Sequence, residues 1–212
     1  MYSQIDANKR KTWLLISLFT IVIVGLGWFF GEYTGVGNAG IIVAVLFATF
    51  MNLTGYFWGD KVALASSGSK EIKKADNPRL WRMVENLAIT GGMPMPKVYV
   101  MNDPSPNAFA TGRDPEHASV SVTTGLLDIM EDNELEGVLA HEMSHVKNYD
   151  IRVMTIVIVL VGIVLLLSDI LLRTMFWGGR DNDNRGGGIL LIIGLVLAIL
   201  SPFFAQLIKL AV

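Results

Sequence analysis

The chain has 212 residues, 52% of them hydrophobic, only 17% charged, with mean hydropathy +0.48 and net charge -2. That apolar excess exceeds what one soluble domain of this length buries and points to a membrane, while the near-neutral charge gives no reason to expect a nucleic-acid partner. With no cysteine, disulfides, thiolate catalysis and Cys-type zinc sites are excluded, so any metal must be held by His, Asp or Glu.

Two apolar segments open the chain, Trp13–Phe30 and Gly40–Trp58. Each is near the roughly 18–20 residues a helix needs to cross about 30 Å of hydrocarbon. The first follows "NKRKT" and has the flank of a signal peptide, but its length and the second span behind it favour a retained helical hairpin. Two more spans are predicted later, Val153–Trp177 and Ile189–Ile208, joined by the Gly-rich connector "GGRDNDNRGGG". Lys9, Arg10 and Lys11 before the first span, Lys61, Lys70, Lys73 and Lys74 after the second, and Lys147 and Arg152 before the third place these flanks in the cytosol. Trp13, Trp28, Trp58 and Trp177 fall at span ends, where indoles favour the interface. Asp169 and Arg173 lie four apart within the third span, a spacing that makes them a self-compensating pair.

Between the hairpins lies a more polar segment, residues 61–150. "DNPRLWRMVENLAITGG" reads as a helix capped by Asp76 or Asn77, with Pro78 in its first turn, Leu80, Trp81, Val84 and Leu87 on one face, and Gly91–Gly92 as its stop. "MPKVYVMND" reads as a strand, "NAFATG" and "HASVSVTTG" as two more separated by the turn "RDPE", and "GLLDIM" as a short helix. "EDNELEGVLAHEMSHVKNYD" then starts a longer helix, with Asn133 as cap, Glu136 at the capping-box position, and Leu135, Val138 and Leu139 toward a core. The expected architecture is thus membrane α-helical: hairpins over 1–60 and 151–212 flank a small cytosolic α+β unit over 61–150, whose last helix runs on into the third span.

That helix carries the chemistry. On an α-helix, residues four apart lie about 40° apart around the axis, so His141 and His145 project together and can meet one ion. Glu142 sits about 100° round from His141, beside such an ion and not on it. Two imidazoles, an open position for water and a neighbouring carboxylate as base suit zinc-dependent hydrolysis. The plainer alternative is a packed or solvated pair of histidines; against it, the chain has three His in all and two of them form this motif. The spacing displays no third ligand. If the helix continues, Asp150 points about 180° from His141. Asp169 lies within a span, and Asp181 and Asp183 fall beyond it. His117 reaches the pair only if its strand lies over the helix.

"GMPMPKVYVMNDPSPNAFATG", "VSVTTGLLDIM" and "ELEGVLAHEMSHVKNYDI", in that order, resemble the HtpX-type membrane zinc metalloproteases, relatives of the CAAX prenyl proteases. The resemblance covers nearly the whole chain. It implies a cytosol-facing endopeptidase in the plasma membrane of a bacterium or archaeon, acting in stress response and quality control on damaged or misfolded membrane proteins. Carried over by position, His141 and His145 are zinc ligands and Glu142 the general base. Asn107, Ala108 and Phe109 lie on an edge strand that pairs with extended polypeptide substrate. The family's third ligand is a glutamate beyond the fourth span. The chain stops at Val212, which implies a truncated form, or a short inactive relative acting as a polypeptide-binding membrane adaptor. A small transporter or channel has only Asp169 and Arg173 in its favour.

Overall fold

The computed structural model describes residues 2–177. The predicted fourth span and the connector before it lie outside these, as does the Arg173 side chain expected to pair with Asp169. By contacts the chain divides into two compact units, residues 1–156 and 157–212. The first contains every element below up to the start of the last helix. Of the second, the described residues continue that helix.

The first two helices, α1 (Tyr2–Thr34) and α2 (Asn38–Ser66), pair as the predicted hairpin. Small residues let them touch: a Cβ on Gly40 would lie 2.4 Å from the carbonyl oxygen of Gly27. Close backbone approach of this kind is how helices associate where no hydrophobic force drives them together. Trp13, Leu14, Ile21, Leu46 and Phe50 stay exposed on the outside of the pair. A stretch of α1 (Gln4–Phe29) and the whole of α2 are long and apolar enough to cross a membrane.

After α2 comes a four-stranded mixed sheet in the order β1-β2-β4-β3. Strand β2 (Lys97–Met101) is parallel to β4 (Ser119–Thr123), β3 (Ala108–Thr111) is antiparallel to β4, and β1 (Lys70–Glu71) is antiparallel to β2. The three longer strands match the three extended segments of the sequence. Strand β1 has too few residues to show any alternation. Helix α3 (Pro78–Gly91) is capped by Asn77, whose side chain accepts from Leu80 N–H at 3.0 Å, and ends on Gly92 in the left-handed conformation. Asp76, the other candidate, accepts instead from Lys73 N–H. Leu80, Val84 and Ala88 are buried, and Trp81 and Leu87 pack at the margin.

Strand β4 leads directly into α4 (Thr124–Ile129), and α5 (Asp132–Lys147) follows. The Arg79 guanidinium of α3 fixes this junction by donating to Asp132 and to the carbonyls of Leu127 and Met130. Helix α5 starts earlier than its sequence suggests. Glu131 is the cap, and its N–H is taken by the Glu134 carboxylate, so Asn133 and Glu136 lie inside the helix. The cue was misplaced because "EDNELE" offers the same acidic pairing in more than one register. Leu135 and Leu139 are fully buried against Val98, Val120 and Val122 of the sheet.

The expectation of one helix running from the histidines into the third span is overturned. Helix α5 stops at Lys147, α6 (Asp150–Trp177) starts afresh, and the two axes bend by 83°. Tyr149 makes the corner with φ +63°, the only non-glycine residue among those described in the left-handed region. Thr155 then seats α6 on the end of β3 by bonding Thr111 Oγ1 at 2.9 Å.

Gly125 is the tightest point of this unit, since a Cβ there would lie 2.0 Å from the carbonyl oxygen of Pro104. Because that neighbour is backbone, Gly125→Ala should lower stability by about 1–3 kcal/mol. A thermal unfolding scan in detergent should show the drop, and an unchanged transition would contradict the packing described.

Candidate metal centre

Two separate elements of local structure bring the site together. On α5, the Nε2 atoms of His141 and His145 lie 3.2 Å apart, with ring centroids at 4.7 Å and planes near perpendicular. Two nitrogens bound to one tetrahedral zinc at about 2.0–2.1 Å are themselves about 3.3–3.4 Å apart. The donor set therefore fits two positions of a zinc site. His141 is exposed and His145 half-buried, so the pair opens outward.

The bend corrects the geometry expected for Asp150. On a continuous helix it would face away. Here it begins α6, and its Oδ2 accepts from His145 Nδ1–H at 3.0 Å. That bond fixes the tautomer in which Nε2 carries the lone pair, the arrangement by which carboxylates orient metal-binding histidines. The other oxygen, Oδ1, accepts from the Asn8 side chain of α1, and the same amide donates to the Asn148 carbonyl at 3.0 Å. Asn8 is buried although α1 is otherwise a membrane helix. Asp150 is thus not a ligand but a positioning group. Neither it nor Asn8 could be assigned from spacing, because both depend on the corner at Tyr149.

Glu142 projects toward the sheet edge, where its Oε2 accepts from the Ala110 N–H of β3 at 3.1 Å. Burial pushes its carboxyl above the ordinary range for glutamate, against the pull of His145, His141 and the Ala110 N–H. Strand β3 has one edge on β4 and the other open. Thr123 N–H donates to the Asn107 carbonyl, so by the alternation of an antiparallel pair Asn107, Phe109 and Thr111 point their main-chain groups at β4. Ala108 and Ala110 point theirs outward. Of the three residues expected to line a cleft, Ala108 alone presents its backbone at the open edge. Asn107 and Phe109 flank it there, with the Asn107 side chain exposed and Phe109 half-buried.

His117 does not join the pair. It lies in a short 3-10 turn, Pro115–His117, where its Nδ1 meets Asp114 at 2.6 Å and its Nε2 takes a bond from Arg113 at 2.7 Å. Asp114, Glu116 and His117 are the one group of three His, Asp or Glu among the described residues whose ligand atoms lie within 4.8 Å of one another. A guanidinium occupies the outward nitrogen, so this cluster is closed by its own hydrogen bonds. Among the described residues, no third ligand atom completes the His141–His145 pair.

Comparison with known proteins gives a consistent result. The sequence profile of Peptidase family M48 matches residues 74–210. A "Protease HtpX homolog" of Tropheryma whipplei (strain Twist) is 48% identical over 213 residues, covering 100% of this chain and 72% of the relative. One from Caldanaerobacter subterraneus subsp. tengcongensis is 45% identical over 217 residues, covering 100% and 73%. One from Streptococcus gordonii is 38% identical over 220 residues, covering 100% and 74%.

The raised carboxyl has a consequence for folding. In zinc-free protein, folded Glu142 holds its proton to higher pH than the unfolded chain does. Its contribution is therefore fully present below the unfolded value of about 4.3 and is lost as pH rises through the folded one. Glu142→Gln, which can still accept from Ala110, should raise the unfolding temperature at neutral pH and lose that advantage in acid. Parallel stability curves for parent and variant from acid to neutral pH would show that the burial is not felt.

Proposed function

Because the chain belongs to peptidase family M48, we propose that it is a membrane-bound zinc endopeptidase whose cleft faces the cytosol. The observation that carries this reading is the convergence of His141 and His145 at 3.2 Å beside a carboxylate tied to an open strand edge. Zinc held by the two Nε2 atoms would supply a Lewis acid and lower the pKa of a bound water toward about 7. The protein's own groups then have distinct tasks. Glu142 spends Oε2 on Ala110 N–H, which orients its other oxygen to accept a proton from water and return it to the leaving amine. Asp150 keeps His145 in one tautomer and one pose.

The outward backbone groups at Ala108, with Asn107 and Phe109 beside them, receive an extended substrate as an added strand. Main-chain pairing asks little of side-chain identity, which suits a protease that clears damaged or misfolded membrane proteins in stress response and quality control. The two flanking hairpins, with four spans in all, hold that edge at the surface of a bacterial or archaeal plasma membrane. The lysines flanking the first two spans support the cytosolic side.

A non-catalytic adaptor remains the second reading, favoured by the two imidazoles without a third ligand atom among the described residues. Cleavage of casein by the purified chain in detergent separates them. Glu142→Ala should slow cleavage by about a thousandfold while zinc stays bound, whereas His141→Ala and His145→Ala should lose the metal. Cleavage by Glu142→Ala at the parent rate would remove the assigned base. Tight zinc with no cleavage by the parent would favour the adaptor.

A further inference from the structure

The end of α1 that carries Asn8 does more than lead into a membrane anchor. Asn8 is buried, lies 142 positions from Asp150 in the chain, and uses one side-chain amide to grip both sides of the corner between α5 and α6. One amide hydrogen goes to the Asn148 carbonyl, an end of α5 that has no helical partner left. The other goes to Asp150 Oδ1 at the start of α6. Asp150 then has both oxygens engaged, Oδ1 by Asn8 and Oδ2 by His145 Nδ1–H. With one oxygen anchored, the carboxylate cannot rotate away without breaking its bond to Asn8. The His145 ring is held in turn, with Nε2 toward His141. Thr12, one turn along α1 and fully buried, donates its hydroxyl to the Asn8 carbonyl, so the packed contact continues along the helix.

We infer that Asn8 is a positioning residue for the metal centre, acting through Asp150 on His145, so that the seating of the first membrane helix sets how well the site binds zinc. The inference rests on the zinc-protease reading for its consequence, but the link itself is a property of the metal-free protein.

The test uses the full chain in lipid nanodiscs, with parent, Asn8→Leu, Asn8→Asp and Thr20→Val. The Leu variant matches Asn8 in size and cannot donate, and the Asp variant puts a second carboxylate against Asp150, so both remove the amide's grip at nearly constant volume. Should one of them fail to fold, the other carries the test. Thr20, farther along α1, accepts from the Asn52 side chain of α2 and serves as the control. Zinc affinity is read by competition with a chromophoric chelator. The His145 tautomer is read in zinc-free protein from the nitrogen NMR signals of labelled histidine. Loss of an outer partner of a ligand typically weakens metal binding about 10–100-fold, and we expect at least a tenfold loss for both Asn8 variants. The Nδ1–H signal of His145 should weaken in the same samples, with Thr20→Val like the parent. An unchanged His145 signal and unchanged zinc affinity in Asn8→Leu or Asn8→Asp would overturn the inference. If the parent itself binds no zinc, a His145 signal that still depends on Asn8 upholds the link and discards the zinc reading. One that does not discards both.

Discussion

The corner at Asn148–Tyr149 is the constraint on which the site depends. A straight helix would carry Asp150 to the far side of the axis from the histidines, where it could do nothing for them. Ending α5 at Lys147 and restarting at Asp150 returns the carboxylate to His145. The turn requires Tyr149 to adopt φ +63°, which costs a non-glycine residue on the order of 1 kcal/mol. Several contacts over-determine it: Arg152 and Lys9 both lie against the Tyr149 ring, and Arg152 also donates to the Arg113 carbonyl. Restarting a helix there has a further effect. Asp150 occupies the first turn of α6, where the helix dipole favours a negative charge. The same break therefore both positions the carboxylate that meets His145 and sets it at a helix N-terminus.

The placement of Glu142 follows from the sheet. Because β2 and β4 are parallel, the chain must cross between them, and it uses that crossing to throw out β3 and bring it back antiparallel on the far side of β4. That leaves β3 at the edge beside α5, with Ala110 N–H pointing at Glu142. Burial and hydrogen bonding then act on the carboxylate in opposite directions, and burial prevails. A base tied only to solvent would keep an ordinary affinity for protons. A base with two or three more N–H partners would hold them too weakly to abstract one. One N–H from an edge strand, with half the side chain buried, leaves the group holding a proton more tightly than a solvent-exposed carboxylate does.

Much of this was legible from residue pattern. The apolar runs gave α1 and α2, "NPRLW" gave the capped start of α3, and the alternation in "KVYVM" and "SVSVT" gave the two paired strands of the sheet's centre. The i, i+4 spacing of His141 and His145 was enough to foresee their convergence, because it depends only on the local helix. What stayed hidden was non-local or too short to carry a period. The two residues of β1 have no pattern of their own. The roles of Asp150 and Asn8 depend on a backbone reversal at Tyr149, a residue with no preference for the left-handed region. Asn148–Tyr149–Asp150 contains the elements of a stop and a restart, a polar residue to end one helix and an acid to begin the next, but a strong apolar run on the C-terminal side outweighed them.

The two histidine clusters show why proximity of ligand types is a poor guide to a metal. His117 and His145 each present Nδ1 to an aspartate, at 2.6 and 3.0 Å, so each is oriented with Nε2 outward. They differ in what that nitrogen meets. For His117 it is the Arg113 guanidinium, a permanent cation that satisfies the lone pair and would repel a second positive charge. That guanidinium also stacks on Phe57, which holds it in place. For His145 it is the Nε2 of His141, a second imidazole nitrogen of the kind that binds zinc. Burial raises the cost of charge at Asp114, and the hydrogen bonds from His117 with the charge of Arg113 more than offset it, lowering that carboxyl below its ordinary value. Its charge is thereby already answered. The first cluster is complete as it stands, whereas the second brings two imidazole nitrogens to 3.2 Å at an outward-opening site, a separation that suits one shared hydrogen or one bound metal ion.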